Sequence, residues 1–153
     1  MSAGEERTRR TAEGWFGDLY RIRVRWDDTD TTQRVYLGRY IKWLDDAVTE
    51  FLRARGMVFD PDGGLRLNGR RIRESFVVGE YGCRIERSSL LDDLIDVKVR
   101  VLERRSRVVV FEGELVDQKG RRVARGVITY ICVRGSGGRI RSAPIPTSLA
   151  ARL

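Results

Sequence analysis

The sequence predicts an α+β fold in which one long amphipathic helix is followed by an antiparallel meander. Two periodicities carry that prediction. Tyr40, Trp43, Leu44, Ala47, Val48, Phe51 and Leu52 recur at i, i+3, i+4, i+7, i+8, i+11 and i+12, which draws one wide apolar stripe on a helix that lies against a sheet. Beyond about residue 72 the period changes to two. Ile95, Val97, Val99 and Val101 alternate with Asp96, Lys98 and Arg100, the pattern of a strand with one buried and one wet face.

Taken in order, residues 1–14 (MSAGEERTRRTAEG) read as a polar arm and 15–153 as a single domain. Tyr20, Ile22, Val24 and Trp26 alternate with Arg21, Arg23 and Arg25, which predicts a first strand. It delivers the chain into an acidic turn holding Asp27, Asp28 and Asp30. Carboxylates there meet the free N–H groups and positive dipole of the coming helix, so helix capping and a catalytic carboxylate are both open readings. Gly56 supplies the helix stop. Asp60-Pro61-Asp62-Gly63-Gly64 and Asn68-Gly69 then mark an irregular connection. Phe76–Ile85 follows as a strand broken by Gly79 and Gly82, which point to a bulge or a close backbone approach. Ile95–Val101, Val108–Val116 and Val123–Val133, joined by short polar turns, complete the meander. The segment Arg134-Gly135-Ser136-Gly137-Gly138-Arg139 has glycines suited to a phosphate cradle. It lacks the GxGxxG spacing and a following helix, so it reads as a flexible exit turn. Ala143-Pro144-Ile145-Pro146 reads as an extended tail.

The totals narrow the chemistry. The 153 residues include no histidine, which removes Ser-His-Asp and Cys-His machinery, histidine-ligated metals and Asp/His dehydration. Acid–base work falls to carboxylates, tyrosines, lysines or backbone groups. Cys83 and Cys132 have no metal-ligand spacing and read as small buried residues, with a disulfide as the alternative. With 41% hydrophobic and 34% charged residues the chain reads as globular. No apolar run of membrane-spanning length occurs, and the N-terminus carries no apolar signal core, so a cytoplasmic protein is expected. The net charge is +8, and 27 of the 30 basic residues are arginine. They are spread along the chain, which reads as general solvation more than as a nucleic-acid surface.

Asp28-Thr29-Asp30, then Val35-Tyr36, Tyr40 and Trp43, resemble the signature of hot-dog-fold acyl-CoA thioesterases of the 4-hydroxybenzoyl-CoA thioesterase type. The resemblance covers roughly Tyr20 to Pro146 and is most specific over 26–53. It implies a long central helix wrapped by an antiparallel sheet. It further implies that Asp30 is the catalytic carboxylate, attacking the thioester or activating water, with the Leu37 backbone amide polarising the carbonyl. Relatives commonly carry glycine where this chain has Gln33, and one branch carries histidine where it has Leu37. By the same resemblance Gln33 and Tyr36 line the substrate's approach, Asp45 matches a position that touches an aromatic hydroxyl, and Arg104 and Arg105 match a pair contacting coenzyme A phosphates. Capping for Asp30 and solvation for Asp45, Arg104 and Arg105 are the alternatives.

The resemblance also implies a homodimer or homotetramer with sites at the dimer interface, and no metal or organic cofactor, coenzyme A being part of the substrate. Two other classes stay open. One is a hot-dog acyl-CoA-binding or regulatory protein without catalysis, suggested by Gln33 and Leu37. The other is a basic nucleic-acid binder, suggested by the charge.

Overall fold

The computed structural model describes residues 20–136 and 138–153; the polar arm expected over 1–14 lies outside them. The first strand, β1 (Tyr20–Arg23), ends sooner than its alternation suggests. The Asp28 carboxylate reaches back to accept the Arg25 N–H at 2.7 Å. That bond winds Trp26–Asp28 into a single 3-10 turn. Trp26, expected on the buried face, is swung out and 77% exposed, while Val24 before it is fully buried.

Helix α1 (Leu37–Arg53) buries the seven residues of the predicted stripe. Each large apolar side chain withdrawn from water contributes about 1.5–3 kcal/mol, so the stripe fixes which face of α1 meets the sheet. The connection after it is more ordered than its turn residues suggest. It forms a small antiparallel sheet of β2 (Met57–Phe59), β3 (Leu65–Leu67) and β4 (Arg70–Arg71). Strands of two or three residues are too short to show a period, and the Asp, Pro and Gly around them dominate the local sequence.

The long strands follow as β5 (Glu74–Ile85), β6 (Leu94–Arg104), β7 (Val108–Asp117), β8 (Arg122–Ser136) and β9 (Arg139–Ser142). They pair antiparallel in the order β1-β6-β7-β8-β5, with β9 alongside the end of β8. The segment read as an exit turn is thus a hairpin. Beyond the tail, Thr147–Ala150 forms a short helix, α2, whose Leu149 is fully buried. Cys132 is buried as expected, whereas Cys83 is exposed on β5.

The closest approach of helix to sheet is set by two glycines. Gly113 and Gly126 face each other across β7 and β8. A Cβ at either would meet a Leu44 methyl, at 2.1 Å and 2.8 Å respectively. The pair hollows the sheet's inner face and seats Leu44. On β5 the register shifts between Val78 and Glu80, and a Cβ at Gly79 would meet Ile131 Cδ1 at 2.3 Å, so the expected bulge is there. From Val77 to Ile85 this strand is exposed, and its only strand partner among the described residues is β8. One helix lying in a curled antiparallel sheet is the hot-dog architecture that the resemblance implies.

Candidate active site

The loop between the 3-10 turn and α1 is a tight hairpin, with Thr29 bridged to Val35. The Asp30 N–H donates to the Arg34 carbonyl and the Gln33 N–H to the Asp30 carbonyl, both at 2.9 Å. The Val35 N–H is held by the Ser89 carbonyl at 3.0 Å, and Tyr36 by the Asp28 carbonyl at 2.8 Å. The base of the loop is therefore anchored to two separate segments.

Asp30 stands exposed at its tip. Its Oδ1 accepts from the Thr32 N–H at 2.8 Å and from the Thr32 hydroxyl at 2.5 Å. Oδ2 has no hydrogen-bond partner among the described residues. The Thr32 hydroxyl, with the Thr32 N–H behind it, holds the Asp30 carboxyl below the usual carboxylate range. Hydrogen bonds to the charged form favour it. The group is thus ionised near neutral pH, with one oxygen tied down and the other open.

A depression of about 380 Å³ joins Asp30 to the start of α1 through Tyr36, Gly38 and Arg39. The helix has no side-chain cap and no acidic residue in its first turn. The N–H groups of Leu37 and Gly38 have no acceptor among the described residues. Helix-start amides of this kind, at the positive end of the dipole, suit an incoming carbonyl oxygen or anion. A Cβ at Gly38 would meet the Tyr36 ring at 2.9 Å, so glycine there lets the half-exposed ring lie across the first turn.

The other residues singled out from the sequence are placed differently. Gln33 lines a neighbouring depression of about 460 Å³ with Trp26, Arg34 and Leu90. Its φ is +63°, in the left-handed region where glycine is favoured. Leu37 is 65% exposed, so its side chain leaves the amide open. Asp45 turns toward the sheet and accepts a short hydrogen bond from the Tyr130 hydroxyl. Burial, together with that carboxylate, pushes the Tyr130 phenol far above its ordinary range. Arg104 donates to the Ala150 carbonyl, and Arg105 pairs with Glu103 at 2.7 Å and 3.0 Å. Both arginines lie at the far end of β6, whose start adjoins the Asp30 loop. The ten steps from Leu94 to Arg104, at about 3.3 Å each, make a separation of roughly 33 Å along the strand. One chain does not bring them to Asp30.

Two supporting residues lie in the run Ser88-Ser89-Leu90-Leu91-Asp92-Asp93, which resembles the family's turn before the meander, where a structural role is expected. Ser89, fully buried, donates its N–H to the Tyr40 hydroxyl at 3.2 Å while its carbonyl holds Val35. Asp93 accepts the Leu90 N–H at 2.9 Å and a Gln118 amide N–H at 2.9 Å, bracing the same turn. The Ser-Ser-Leu-Leu-Asp-Asp run marks the turn, but only the fold shows what it holds.

Fold and site together define a hot-dog protein with an ionised carboxylate beside a free helix N-terminus. Residues 24–153 match the thioesterase-like superfamily. The chain belongs to that superfamily and is an enzyme of the thioester-hydrolase class. Solved structures share the fold. A gentisyl-coenzyme A thioesterase is 24% identical, with TM-score 0.71, covering 86% of this chain and 98% of its own. A 1,4-dihydroxy-2-naphthoyl-CoA thioesterase from Synechocystis is 14% identical, with TM-score 0.73 and coverages of 87% and 92%. A 4-hydroxybenzoyl-CoA thioesterase mutant in complex with 4-hydroxybenzoyl-CoA is 16% identical, with TM-score 0.68 and coverages of 87% and 95%. No curated protein matches the chain by sequence. No described helix is long and apolar enough to cross a membrane.

Proposed function

We propose that the chain hydrolyses acyl-CoA thioesters at Asp30. The observation that carries this reading is the open, ionised Oδ2 in one depression with the unpartnered start of α1. The thioester carbonyl oxygen takes the amide at Leu37, where negative charge develops as the carbonyl becomes tetrahedral. Asp30 Oδ2 then either attacks the carbonyl carbon or removes a proton from an attacking water. Collapse breaks the C–S bond, and the coenzyme A thiolate takes a proton from water or from protonated Asp30. On the nucleophilic route a water then cleaves the acyl–Asp30 anhydride; on both routes the acyl group leaves as the carboxylic acid, and no metal or organic cofactor enters the scheme.

The working unit of this proposal is a homodimer, alone or doubled into a tetramer. Strand β5 runs from the Arg105 end of the sheet to the Asp30 end, with its outer edge open. Open edges pair readily with a second strand. A two-fold antiparallel pairing of β5 with its copy sets the start of one strand beside the end of the other. Arg104 and Arg105 of one protomer then come toward Asp30 of its partner, where they can meet the coenzyme A phosphates.

The test is a hydrolysis screen across short-chain, long-chain and aromatic acyl-CoAs, followed by release of the free thiol. Turnover of at least one class is expected, with the matching pantetheine thioesters, which lack the nucleotide, showing a higher KM. Saturable acyl-CoA uptake without thiol release would make the chain a binding protein instead.

A further inference from the structure

A second concave region lies at the other end of the sheet from Asp30, where β4 meets β5 and the β8–β9 hairpin. Two adjoining depressions, of about 420 Å³ and 440 Å³, share Arg71, Ile72, Arg73 and Gly135. Their size falls within the span of small-ligand sites. One wall is apolar, with Ile72 half-buried and Ile140 exposed at its surface, while Phe76 and Val133 beside them are buried. The other carries guanidinium groups.

The charges there are poorly balanced. Arg71 gives one nitrogen to Asp62 at 2.5 Å, and Arg134 gives one to Glu74 at 2.5 Å. Each keeps further donors, because a guanidinium has five N–H groups. Arg73, exposed in the middle of both depressions, has no hydrogen bond or ion pair among the described residues. On the flank, Arg134 stands directly opposite Arg141 across β8 and β9. Like charges so placed repel each other, and Glu74, on the other side of Arg134, serves only one of them. A pre-arranged set of guanidinium donors against an apolar wall matches a ligand with clustered phosphate oxygens and a flat apolar body. A long polyanion fits less well. Asp60, Asp62 and Glu74 sit among the arginines and would repel a continuous phosphate backbone.

We propose that this groove, centred on Arg73 with Arg71 and Arg134, binds the phosphates of a nucleotide while Ile72 and Ile140 receive its base. The ligand has two possible sources: a free nucleotide, or the nucleotide end of an acyl-CoA bound at the partner's site. Only the second source rests on the acyl-CoA reading and on the β5 pairing, which would carry the groove of one protomer toward Asp30 of the other.

The probe is adenosine 3′,5′-bisphosphate, titrated calorimetrically into the full-length protein and three variants. Arg73→Ala should weaken binding about 10- to 100-fold, the worth of a charge-assisted hydrogen bond. Arg23→Ala, which removes the same charge from the exposed face of β1 at the opposite sheet edge, should leave binding unchanged. Asp30→Asn should also bind normally, which keeps the groove distinct from any failure of catalysis. A rise in KM for acyl-CoA but not for the pantetheine thioester in Arg73→Ala would assign the ligand to the substrate. An unchanged KM with lost bisphosphate binding would assign it to a free nucleotide. Equal weakening by Arg23→Ala and Arg73→Ala, no binding at all, or tighter binding of a single-stranded RNA 20-mer than of the bisphosphate would overturn the proposal.

Discussion

Asp28 and Asp30 are two residues apart in one loop, and the structure treats them as opposites. Asp28 is 8% exposed. One of its oxygens takes the Arg25 N–H, and the other faces Arg39 Nε at 3.3 Å. Both are spent on ending β1 and tying the 3-10 turn to α1. Asp30 keeps one oxygen free, in solvent, beside the helix start. A carboxylate tied into a fold on both sides cannot also accept a substrate's proton or form a bond to it. Asp28 is therefore the loop's anchor, and Asp30 is what the anchor presents.

That contrast yields its largest effect at Asp30. In Asp30→Asn the amide oxygen can still accept from Thr32, so the loop and the melting temperature should hold. Loss of the charged oxygen should lower kcat by roughly 10²–10⁴ for a general base. Asp27→Asn is the clean control, because the Asp27 side chain is 80% exposed and 3.9 Å from its nearest cation, a contact worth little in water. A variant Asp30→Asn that melts early while keeping kcat would invert the comparison and make Asp30 the structural acid.

Asp28→Asn should produce the reverse signature. It loses the ion pair to Arg39 inside a largely buried site, a change of about 1.5–3 kcal/mol for a charged hydrogen-bonding group. Chemical denaturation should show the loss as a lower midpoint. Activity at low temperature, where the fold persists, should fall far less than in Asp30→Asn. Equal loss of kcat in the two variants would dissolve the distinction between the anchor and the proposed catalytic acid.

The smallest effect is the finest probe. The Thr32 hydroxyl is the leading cause of Asp30's lowered pKa. Thr32→Val removes it and leaves the backbone N–H in place. A depressed pKa keeps Asp30 ionised as pH falls, so losing the hydroxyl raises the pKa and moves the acid limb of kcat/KM to higher pH. An acid limb that stays where it was would mean that Asp30 is not the group whose ionisation the reaction needs.

Some of this was open to reading from the residues alone. Helix α1 was legible because its seven buried positions repeat every 3.6 residues, and that period is a property of the local chain. The long strands were legible for the same reason at a period of two. The acidic turn marked where chemistry could sit. It did not separate Asp28 from Asp30, because both are acids of one motif and their difference is burial, which depends on where Arg39 and the rest of α1 come to rest. Trp26 fits the alternation of β1, yet a backbone bond to Asp28 ends the strand before it.

Contacts distant in sequence were beyond reach. Asp45 looks like a solvated helix charge until the sheet sets Tyr130, 85 residues away, against it. Arg104 and Arg105 resemble neighbours of the site until the length of β6 carries them to the far end. Gly113 and Gly126 read as two unrelated glycines in strands, and only their register makes them the seat of Leu44. The sequence by itself determined the main elements, the chemistry available without histidine and the loop that holds the proposed acid, since these rest on local period and composition. Tertiary structure decided which carboxylate is buried, which cations gather at each end of the sheet and how near the helix lies, because each depends on strands pairing across long stretches of chain.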